Sequence, residues 1–259
     1  MESTQTLSSY KRQQNLLNFI NRRHRATVNE MAEHFSVSVA TVRRDLETLA
    51  GQNVIRRFHG GAMTAQKAPP ESPVLQREQE QNEEKKRIGR AAADLIQDGE
   101  TVFLGSGTTV LEIARNLRSC QNLTVITNSL LVINALTDAP GVEVVALGGM
   151  LRRSEMSMIG HITQQALAEV LADKVIIGVR ALDIERGLTN DYLPETMTDR
   201  AILKIGGEVI VAADHSKCGR VSTAFLAPVT AINTFITDTE TPSGFVEDLK
   251  TQGVKVIIV

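Results

Sequence analysis

The chain has 259 residues, 42% of them hydrophobic and 22% charged, which suits one large domain or a large domain with a small one. It contains no run of 18 apolar residues and no secretory type of N-terminus, which argues against membrane and exported proteins and favours the cytoplasm. Cys120 and Cys218 do not have a metal-ligand spacing, and the net charge of −2 argues at first against a nucleic-acid binder.

Three prolines within a short stretch, Pro69, Pro70 and Pro73, interrupt both helical and strand patterns and divide the chain. We expect a first domain over residues 1–62, a linker over 63–87 and a larger domain over 88–259. The polar run 76–87 fits either a solvated linker or the first turns of a helix. Residues 1–61 carry a net charge of +4, which leaves −6 for the rest, so a basic head precedes an acidic body.

The head has the pattern of a helix-turn-helix. Residues 11–23 place three apolar side chains at helical spacing: Leu16, Phe19 and Ile20. Thr27 is positioned to N-cap a second helix, with Glu30 three residues later as in a capping box. After a short break, Ser38 is positioned to cap a third helix. Three apolar residues of that third helix form one stripe that we expect to be buried: Val42, Leu46 and Leu49.

Basic side chains follow in the third helix and just after it. With the apolar stripe facing inward, Thr41, Arg43 and Arg44 lie on other faces of its N-terminal half, the part of a recognition helix that meets bases and phosphates. Arginine can donate two hydrogen bonds to guanine. Residues 54–61, Val-Ile-Arg-Arg-Phe-His-Gly-Gly, predict a short β-wing. An arginine pair alone is more often a solvated surface feature, but the whole combination favours DNA binding by a winged helix.

The stretch Val-Ser-Val-Ala-Thr-Val-Arg-Arg-Asp-Leu-Glu-Thr-Leu at 37–49, with Ile-Arg-Arg-Phe-His-Gly-Gly-Ala at 55–62, resembles the head of the DeoR family of bacterial transcription regulators. The resemblance implies that four residues read the operator: Ser38, Thr41, Arg43 and Arg44. It also implies that three residues brace the wing: Arg56, Arg57 and His59. Thr27 completes our set of DNA-binding candidates. His59, beside two glycines, also fits a hydrogen bond within its own turn.

From about residue 88, short β-branched runs alternate with helical stretches. The predicted strands are 101–104, 123–127, 142–147, 174–178, 209–213, 234–237 and 254–259, and the predicted helices include 109–118, 129–137 and 161–171. This alternation predicts an α/β domain with a mostly parallel sheet and a ligand site at the carboxyl ends of its strands.

One strand leads into the loop Gly105-Ser106-Gly107-Thr108-Thr109, and a helix leaves it. Its backbone N–H groups, its hydroxyls and the helix N-terminus would form an anion cradle. The loop is neither a Walker motif nor a complete G-x-G-x-x-G motif, so no nucleotide cofactor is expected. A Gly-Ser-Gly sequence is also common as a simple strand-to-helix turn.

Polar or glycine residues follow other predicted strands: Asn128, Gly149, Arg152 and Lys217. Each has a simpler interpretation as a helix cap, a turn or a solvated charge. The order of a Gly-Thr-Thr loop, Thr-Asn, Gly-Gly and Asp-x-Ser-Lys resembles the C-terminal domain of the DeoR family, so the resemblance covers roughly residues 10–240. It implies a sensor of phosphorylated sugars whose fold is similar to ribose-phosphate isomerases and CoA transferases.

The chain departs from the family pattern at several positions. Gly105 stands where the family usually has an acidic residue, Arg180 and Ala181 interrupt its usual Gly-x-Asp-Gly-x-Asp, and Asp199 replaces a more usual lysine, whereas Glu195 is retained. These changes suggest a different effector or a changed response. Arg180 fits either a contact to phosphate or carboxylate, or an outward-facing charge at a strand end.

We therefore expect a transcription regulator, most simply a repressor of a carbohydrate-utilisation operon, that binds double-stranded operator DNA as a homodimer or homotetramer. A phosphorylated sugar or related metabolite would control that affinity, with no catalytic group, metal ion or cofactor. The expected effector-binding residues are Gly105, Ser106, Gly107, Thr108, Thr109, Asn128, Gly149, Arg152, Arg180, Glu195 and Lys217.

Two alternatives remain open at this point. One is a sugar-phosphate isomerase or transferase with a DNA-binding head, which would have four candidate acid–base groups: Asp183, Glu195, Asp214 and Lys217. The other is a constitutive architectural DNA binder whose affinity no small molecule alters.

Overall fold

The computed structural model describes residues 2–23, 25–52, 54–58, 60–64, 66–69 and 71–259. Within these ranges the helices are α1 Glu2–Arg23, α2 Val28–His34, α3 Val39–Gly51, α4 Val74–Arg77, α5 Asn82–Ala93, α6 Thr108–Asn116, α7 Leu130–Leu136, α8 His161–Leu167, α9 Leu193–Ile202 and α10 Ser243–Thr251. The strands are β1 Arg25–Thr27, β2 Ile55–Phe58, β3 Gly61–Thr64, β4 Gln66–Lys67, β5 Thr101–Leu104, β6 Leu123–Thr127, β7 Val142–Ala146, β8 Met150–Arg152, β9 Ser157–Ile159, β10 Ala172–Ile177, β11 Ala181–Asp183, β12 Gly187–Asn190, β13 Gly206–Ala212, β14 Arg220–Val221, β15 Ala224–Ala227, β16 Thr234–Thr237 and β17 Lys255–Ile258.

The head is a winged helix-turn-helix. The predicted stripe of α3, Val42, Leu46 and Leu49, is buried at 0–1% exposure and packs in one core with Leu16 and Ile20 of α1. Strands β2 and β3 form the antiparallel wing, and β1 pairs with the other side of β3. Burial of these apolar faces against one another holds the three helices and the wing together.

Local capping explains where the two helices of the motif begin. The Thr27 hydroxyl accepts a hydrogen bond from the Glu30 backbone N–H, and the Glu30 carboxylate accepts one from the Thr27 backbone N–H at 2.7 Å. Ser38 Oγ accepts a hydrogen bond from the Thr41 backbone N–H at 3.1 Å. Both caps satisfy N–H groups that a helix cannot satisfy internally, and both were predicted.

The body is built on a seven-stranded parallel sheet with the order β17-β16-β13-β10-β5-β6-β7. Successive side chains of its strands point to opposite faces, so Val102 and Leu104 enter one apolar cluster whereas Phe103 enters another. Both faces are thus covered, as an α/β domain requires. The seven runs predicted as strands are the seven strands of this sheet.

The order of the strands creates a switch point at the centre of the sheet. From β5 the chain builds outward through β6 to β7, and it then returns to the other side of β5 to add β10, β13, β16 and β17. Loops that leave adjacent strands in opposite directions open a crevice at their carboxyl ends. Strands β5 and β10 flank that point.

The segment 63–87, expected as a linker, contains ordered structure. Strand β4 pairs in parallel with β14 of the body, and α5 begins at Asn82. Ile88 of α5 is fully buried in the body core, and Lys85 is 6% exposed. The helical interpretation of the polar run therefore fits residues 82–87, and this segment packs against the body.

Asp45, in the middle of α3, is 3% exposed and is bound by α1. It accepts hydrogen bonds from Arg12 Nε at 2.5 Å and from Gln13 Nε2 at 3.0 Å. Glu47, two residues later, pairs instead with Arg57 at the surface. The two acids near the arginine pair therefore act differently, because Asp45 ties two helices together.

Asp45→Ala is expected to lower the free energy of unfolding by roughly 1.5–3 kcal/mol, because hydrogen bonds to a buried charge are lost. Urea denaturation followed by circular dichroism measures this. Glu47→Ala is the matched control and should cost about 0.5 kcal/mol or less, because its ion pair is exposed. Equal losses in the two variants would contradict the assigned role of Asp45.

Candidate functional site

The N-terminal half of α3 presents the arginine pair to solvent. Arg43 and Arg44 are exposed, and neither side chain has a hydrogen bond or ion pair within the described ranges. Asp45 is turned inward to Arg12, and so it does not neutralise them. Thr41 lies half-buried beside the Ser38 cap, with their hydroxyl oxygens 2.8 Å apart. This end of α3 has the charge and accessibility that contact with DNA requires.

The wing residues are engaged within the protein. Arg57 lies 3.1 Å from Glu47 in an exposed pair. Arg56 Nη2 lies 2.9 Å from Glu185 Oε2 and 3.2 Å from Asp183 Oδ1, two carboxylates of the body. Arg56 in this arrangement therefore connects the head to the body.

Two further DNA-binding candidates remain. The Thr27 hydroxyl takes part in the α2 capping box, where it also donates to the Glu30 carboxylate at 2.8 Å. His59 lies outside the described residues, and its role stays a prediction.

A cavity lies at the switch point, where three loops meet. Residues 105–109 follow β5, residues 178–180 follow β10 and residues 213–217 follow β13. Of the predicted effector-binding residues, eight line this cavity: Gly105, Ser106, Gly107, Thr108, Thr109, Arg180, Glu195 and Lys217. The parallel pairing of β5, β10 and β13 brings them together, since the carboxyl ends of parallel strands share one edge.

The β5 loop and the start of α6 form one end of the cavity. Gly107 has φ +109°, a backbone conformation that favours glycine, and it precedes α6 with no side-chain cap. The first N–H groups of α6 have no partner within the helix, and the dipole of α6 favours a negative charge there. The Thr108 side chain sits at this helix start. These groups suit a phosphate.

Gly105 contributes differently from its neighbours. Its backbone N–H donates to Ile176 O at 2.9 Å and thus belongs to the sheet. A Cβ at this position would lie 3.1 Å from Ile177 Cγ2, so a larger side chain would force a neighbour to move. The backbone atoms of β10 nearest to that Cβ would be 3.6 Å away, which is ordinary contact, so the tight neighbour is the Ile177 side chain.

Three predicted effector residues are not among those that line this cavity. Asn128 donates from Nδ2 to Met158 O at 2.9 Å, and Ser129 rather than Asn128 caps α7. Gly149 packs so tightly that a Cβ would lie 2.1 Å from Thr163 Oγ1.

Arg152, the third of them, pairs with Glu195 and lies 4.6 Å from the centre of the Tyr192 ring. It stands behind Glu195, and its contribution to the cavity is to hold that carboxyl in place.

Arg180 is 8% exposed and lines the cavity, so the alternative of an outward-facing charge is wrong. Gly105 and Asp199, the other positions where the charge departs from the family pattern, line the same cavity, and Asp199 accepts a hydrogen bond from Asn190 Nδ2 at 2.6 Å. The charge departures are therefore concentrated at one site.

Sequence reasoning missed the contribution of the supposed linker. Glu71 and Arg77 line the cavity, and Arg77 donates to the Ser72 carbonyl at 2.8 Å and to Glu71 at 2.9 Å. Lys85 donates to the carbonyl of Arg77 at 2.7 Å and so supports the turn. The sequence does contain one hint of this role, because Glu71, Arg77 and Lys85 are charged residues within the segment that was expected to be a linker.

Burial raises the pKa of several cavity carboxyls, and for Glu195 the paired Arg152 opposes that shift. Burial raises the pKa of Glu195, and nearby Asp199 raises it further. Burial also raises the pKa of Asp199, although the hydrogen bond from Asn190 opposes that shift, and burial raises the pKa of Glu155. Protonated carboxyls can donate hydrogen bonds to a sugar and repel an anion less than carboxylates do.

Two further properties concern the described ranges alone. No cluster of three or more His, Cys, Asp or Glu side chains there is arranged to hold a metal ion. No helix in these ranges has the length and apolar character needed to cross a bilayer.

Comparison with known families matches both parts of the chain. Residues 12–68 match the DeoR-like helix-turn-helix domain, and residues 80–239 match the DeoR C-terminal sensor domain. The chain belongs to the DeoR family. The resemblance inferred from sequence motifs is thereby confirmed, and the enzyme alternative is not supported.

Several relatives of this DeoR-family protein are named as repressors. The putative aga operon transcriptional repressor of Escherichia coli O157:H7 is 34% identical over 96% of this chain and 93% of the relative. The glycerol-3-phosphate regulon repressor of Escherichia coli K12 is 33% identical over 90% and 92%. The transcriptional repressor GlcR of Bacillus subtilis is 34% identical over 94% and 93%.

Solved structures with partial likeness include two kinds of protein. Ribose 5-phosphate isomerase A from Methanocaldococcus jannaschii gives a TM-score of 0.39 at 18% identity, covering 53% of this chain and 55% of its own. The eIF2B beta protein from Chaetomium thermophilum gives 0.44 at 18% identity, covering 60% and 48%.

The raised pKa of Asp199 predicts how stability depends on pH. The folded protein holds this proton more tightly than the unfolded chain does, so the free energy of unfolding falls as pH rises from the ordinary carboxyl range through the raised pKa. Asp199→Asn stays neutral and keeps an oxygen for Asn190. The melting temperature of the variant relative to the parent is therefore expected to increase from pH 5 to pH 8.

Differential scanning fluorimetry at the two pH values measures this difference. Asp138→Asn, at an exposed position on the same domain, is the matched control and should show no such trend. A constant difference between Asp199→Asn and the parent would contradict the prediction.

Proposed function

We propose that this chain is a transcriptional repressor whose operator affinity is controlled by a phosphorylated sugar or a related metabolite bound in the cavity at the switch point. One observation supports this most directly: the same chain has two exposed arginines on α3 that lack a partner among the described residues, and a cavity at a helix N-terminus that has no side-chain cap. The names of the relatives, a glycerol-3-phosphate regulon repressor among them, support repression and an effector of this class.

On the DNA side, Arg43 and Arg44 would contact base edges and phosphates in the major groove, with Ser38 and Thr41 beside them at the start of α3. Arg57 would contact the sugar-phosphate backbone from the wing. Arg56 would do so only after leaving Asp183 and Glu185. The sequence-based roles of Thr27 and His59 remain part of this proposal.

On the effector side, the phosphate would bind the N–H groups of the β5 loop and the start of α6, together with the Thr108 hydroxyl. The sugar hydroxyls would face the polar end of the cavity, where Asn190, Glu195 and Asp199 offer hydrogen-bond donors and acceptors. Arg180 and Lys217, which line the same cavity, would supply positive charge to the phosphate.

The proposed assembly is a homodimer or homotetramer. A head with a formal charge of +4 binds DNA weakly by itself at physiological salt, whereas two heads bind two half-sites about one helical turn apart. The operator is then a palindrome or a repeat.

Arg43→Ala is expected to cost roughly 1–3 kcal/mol on the specific operator and to relax discrimination at one base position. The operator is first selected from a random DNA library, and fluorescence anisotropy at fixed salt then compares it with scrambled DNA. Arg118→Ala, an exposed arginine of the body, removes the same charge and should change neither affinity. Equal weakening on operator and scrambled DNA would identify Arg43 as a phosphate contact.

Thr108→Ala should leave operator binding intact without effector while weakening effector binding about tenfold or more, since a hydroxyl bond to a charged group is lost. A panel of phosphorylated sugars is screened by thermal shift, because a ligand of the folded state raises the melting temperature. Thr137→Ala, at the exposed end of α7, is the matched control. Loss of DNA binding in Thr108→Ala itself would instead assign Thr108 to the folding of the domain.

A further inference from the structure

Glu71, from the segment between head and body, inserts its carboxylate into the cavity. One oxygen, Oε1, lies 2.9 Å from Arg77 Nη1, 3.1 Å from Lys217 Nζ and 3.3 Å from Arg180 Nη1. The Glu71 side chain is 11% exposed. A carboxylate oxygen with three cationic groups around it has the surroundings that a phosphate oxygen has in an arginine- and lysine-lined site.

The three cations come from separate parts of the chain that meet at this point. Lys217 belongs to the loop after β13, Arg180 precedes β11, and Arg77 ends α4. Lys217 and Arg180 therefore belong to the edge of the sheet that also carries the β5 loop. Glu71 does not satisfy this set fully: Arg180 Nε is buried and has no hydrogen-bond partner among the described residues. This Nε atom of Arg180 lies 3.5 Å from Asp191 Oδ2.

The size of the cavity is consistent with partial occupation by the protein itself. Its volume is about 90 Å³, whereas small-molecule sites usually have roughly 300–1,000 Å³. Glu71 is among the lining side chains, so its departure would both enlarge the cavity and remove a negative charge from it.

We propose that Glu71 is an internal anion that holds the effector site closed, and that the phosphate of an effector binds by displacing it from Arg77, Arg180 and Lys217. This inference rests on the proposed function of the cavity, and it adds that Glu71 regulates the binding of the effector there. An anion that competes with Glu71 binds with an affinity reduced by the fraction of molecules in which Glu71 occupies the site. Removal of the Glu71 charge therefore tightens anion binding.

Displacement of Glu71 can affect the DNA-binding head through the segment that joins the head to the body. Glu71 follows β4, whose pairing with β14 is extended by a hydrogen bond from Ala68 N to Val221 O at 3.0 Å. Strand β3 of the wing precedes β4 in the chain. Release of the β4 segment from the body would therefore remove one of the contacts that hold the wing to the body. After Glu71, the segment is held by Val74 N, which donates to Ser154 O at 2.7 Å.

Glu71→Gln, which removes the charge and keeps the shape, tests the proposal in the full-length protein. Inorganic phosphate is the probe, and isothermal titration calorimetry at fixed ionic strength, with chloride as the comparison salt, measures its binding. Glu71→Gln is expected to bind phosphate at least about fivefold more tightly than the parent, which is at the lower end of ordinary coupling between sites. Glu83→Gln, the same change at an exposed position of the same segment that does not line the cavity, should bind like the parent.

Hydrogen–deuterium exchange provides a second readout. Phosphate is expected to increase exchange at the amides of residues 66–74 in the parent, and Glu71→Gln should show faster exchange there without phosphate. If Glu71→Gln fails to fold, Glu71→Asp replaces it. Its shorter side chain keeps the charge but withdraws it from the three cations, so Glu71→Asp should bind phosphate more tightly than the parent, and equal affinity would contradict the proposal.

The results of these experiments distinguish the role of Glu71 from the role of the cavity as an anion site. Equal phosphate affinity in the parent and Glu71→Gln, with residues 66–74 protected throughout, overturns the role of Glu71 and leaves the effector cavity standing. Failure of phosphate and of every phosphorylated sugar to bind either protein overturns the cavity as an anion site, and the role of Glu71 with it.

Discussion

The parallel pairing of β5 with β10 at the centre of the sheet is the constraint on which the rest of the molecule depends. It makes the chain reverse its direction of growth, so that the loops after β5 and β10 separate and leave a crevice, with the loop after β13 beside them. Every group assigned to the effector site either belongs to these loops or reaches them, which explains why residues more than 100 positions apart form one cavity.

The cavity and the wing are separated by very little protein. Arg180 lines the cavity, and Asp183, at the end of the three-residue strand that follows, contacts Arg56 of the wing at 3.2 Å. Asp183 Oδ1 also accepts hydrogen bonds from the backbone N–H groups of Glu185 and Arg186, which fix the carboxylate in place. Strand β11 is thus a short rigid element with a cavity residue at one end and a partner of the DNA-binding head at the other. Contiguous packing of this kind can couple two sites.

The elements that follow from local pattern were predictable from the sequence. The strands 101–104, 123–127 and 234–237 were predicted with the bounds that the structure gives them, and the caps at Thr27 and Ser38 followed from residue type and spacing. Local signals suffice for these features because capping and strand periodicity depend on near neighbours. Within the cavity, the Gly-Ser-Gly-Thr-Thr loop was found for the same reason.

Features that depend on long-range pairing were not predictable in this way. The sequence does not show that Glu71 reaches Arg180, because that contact depends on where the segment after the wing lies on the body. Asn128 and Gly149 follow strands as the cavity loops do, but β6 and β7 lie on the side of β5 away from β10 and β13. Strand order, which a single sequence does not encode locally, decided which strand ends met.

The opposite net charges of the head and the body affect how each part binds external anions. The basic head and the acidic body attract each other, and the pairs of Arg56 with Glu185 and of Arg25 with Asp248 are local examples of that attraction. Phosphates of DNA would compete with these carboxylates for the head, just as the phosphate of an effector would compete with Glu71 for the cavity. In both competitions a carboxylate of the protein occupies the place of an external anion, so each ligand changes how head and body contact each other. Because linkage is reciprocal, an effector that weakens DNA binding through these contacts is itself bound more weakly by the DNA-bound form.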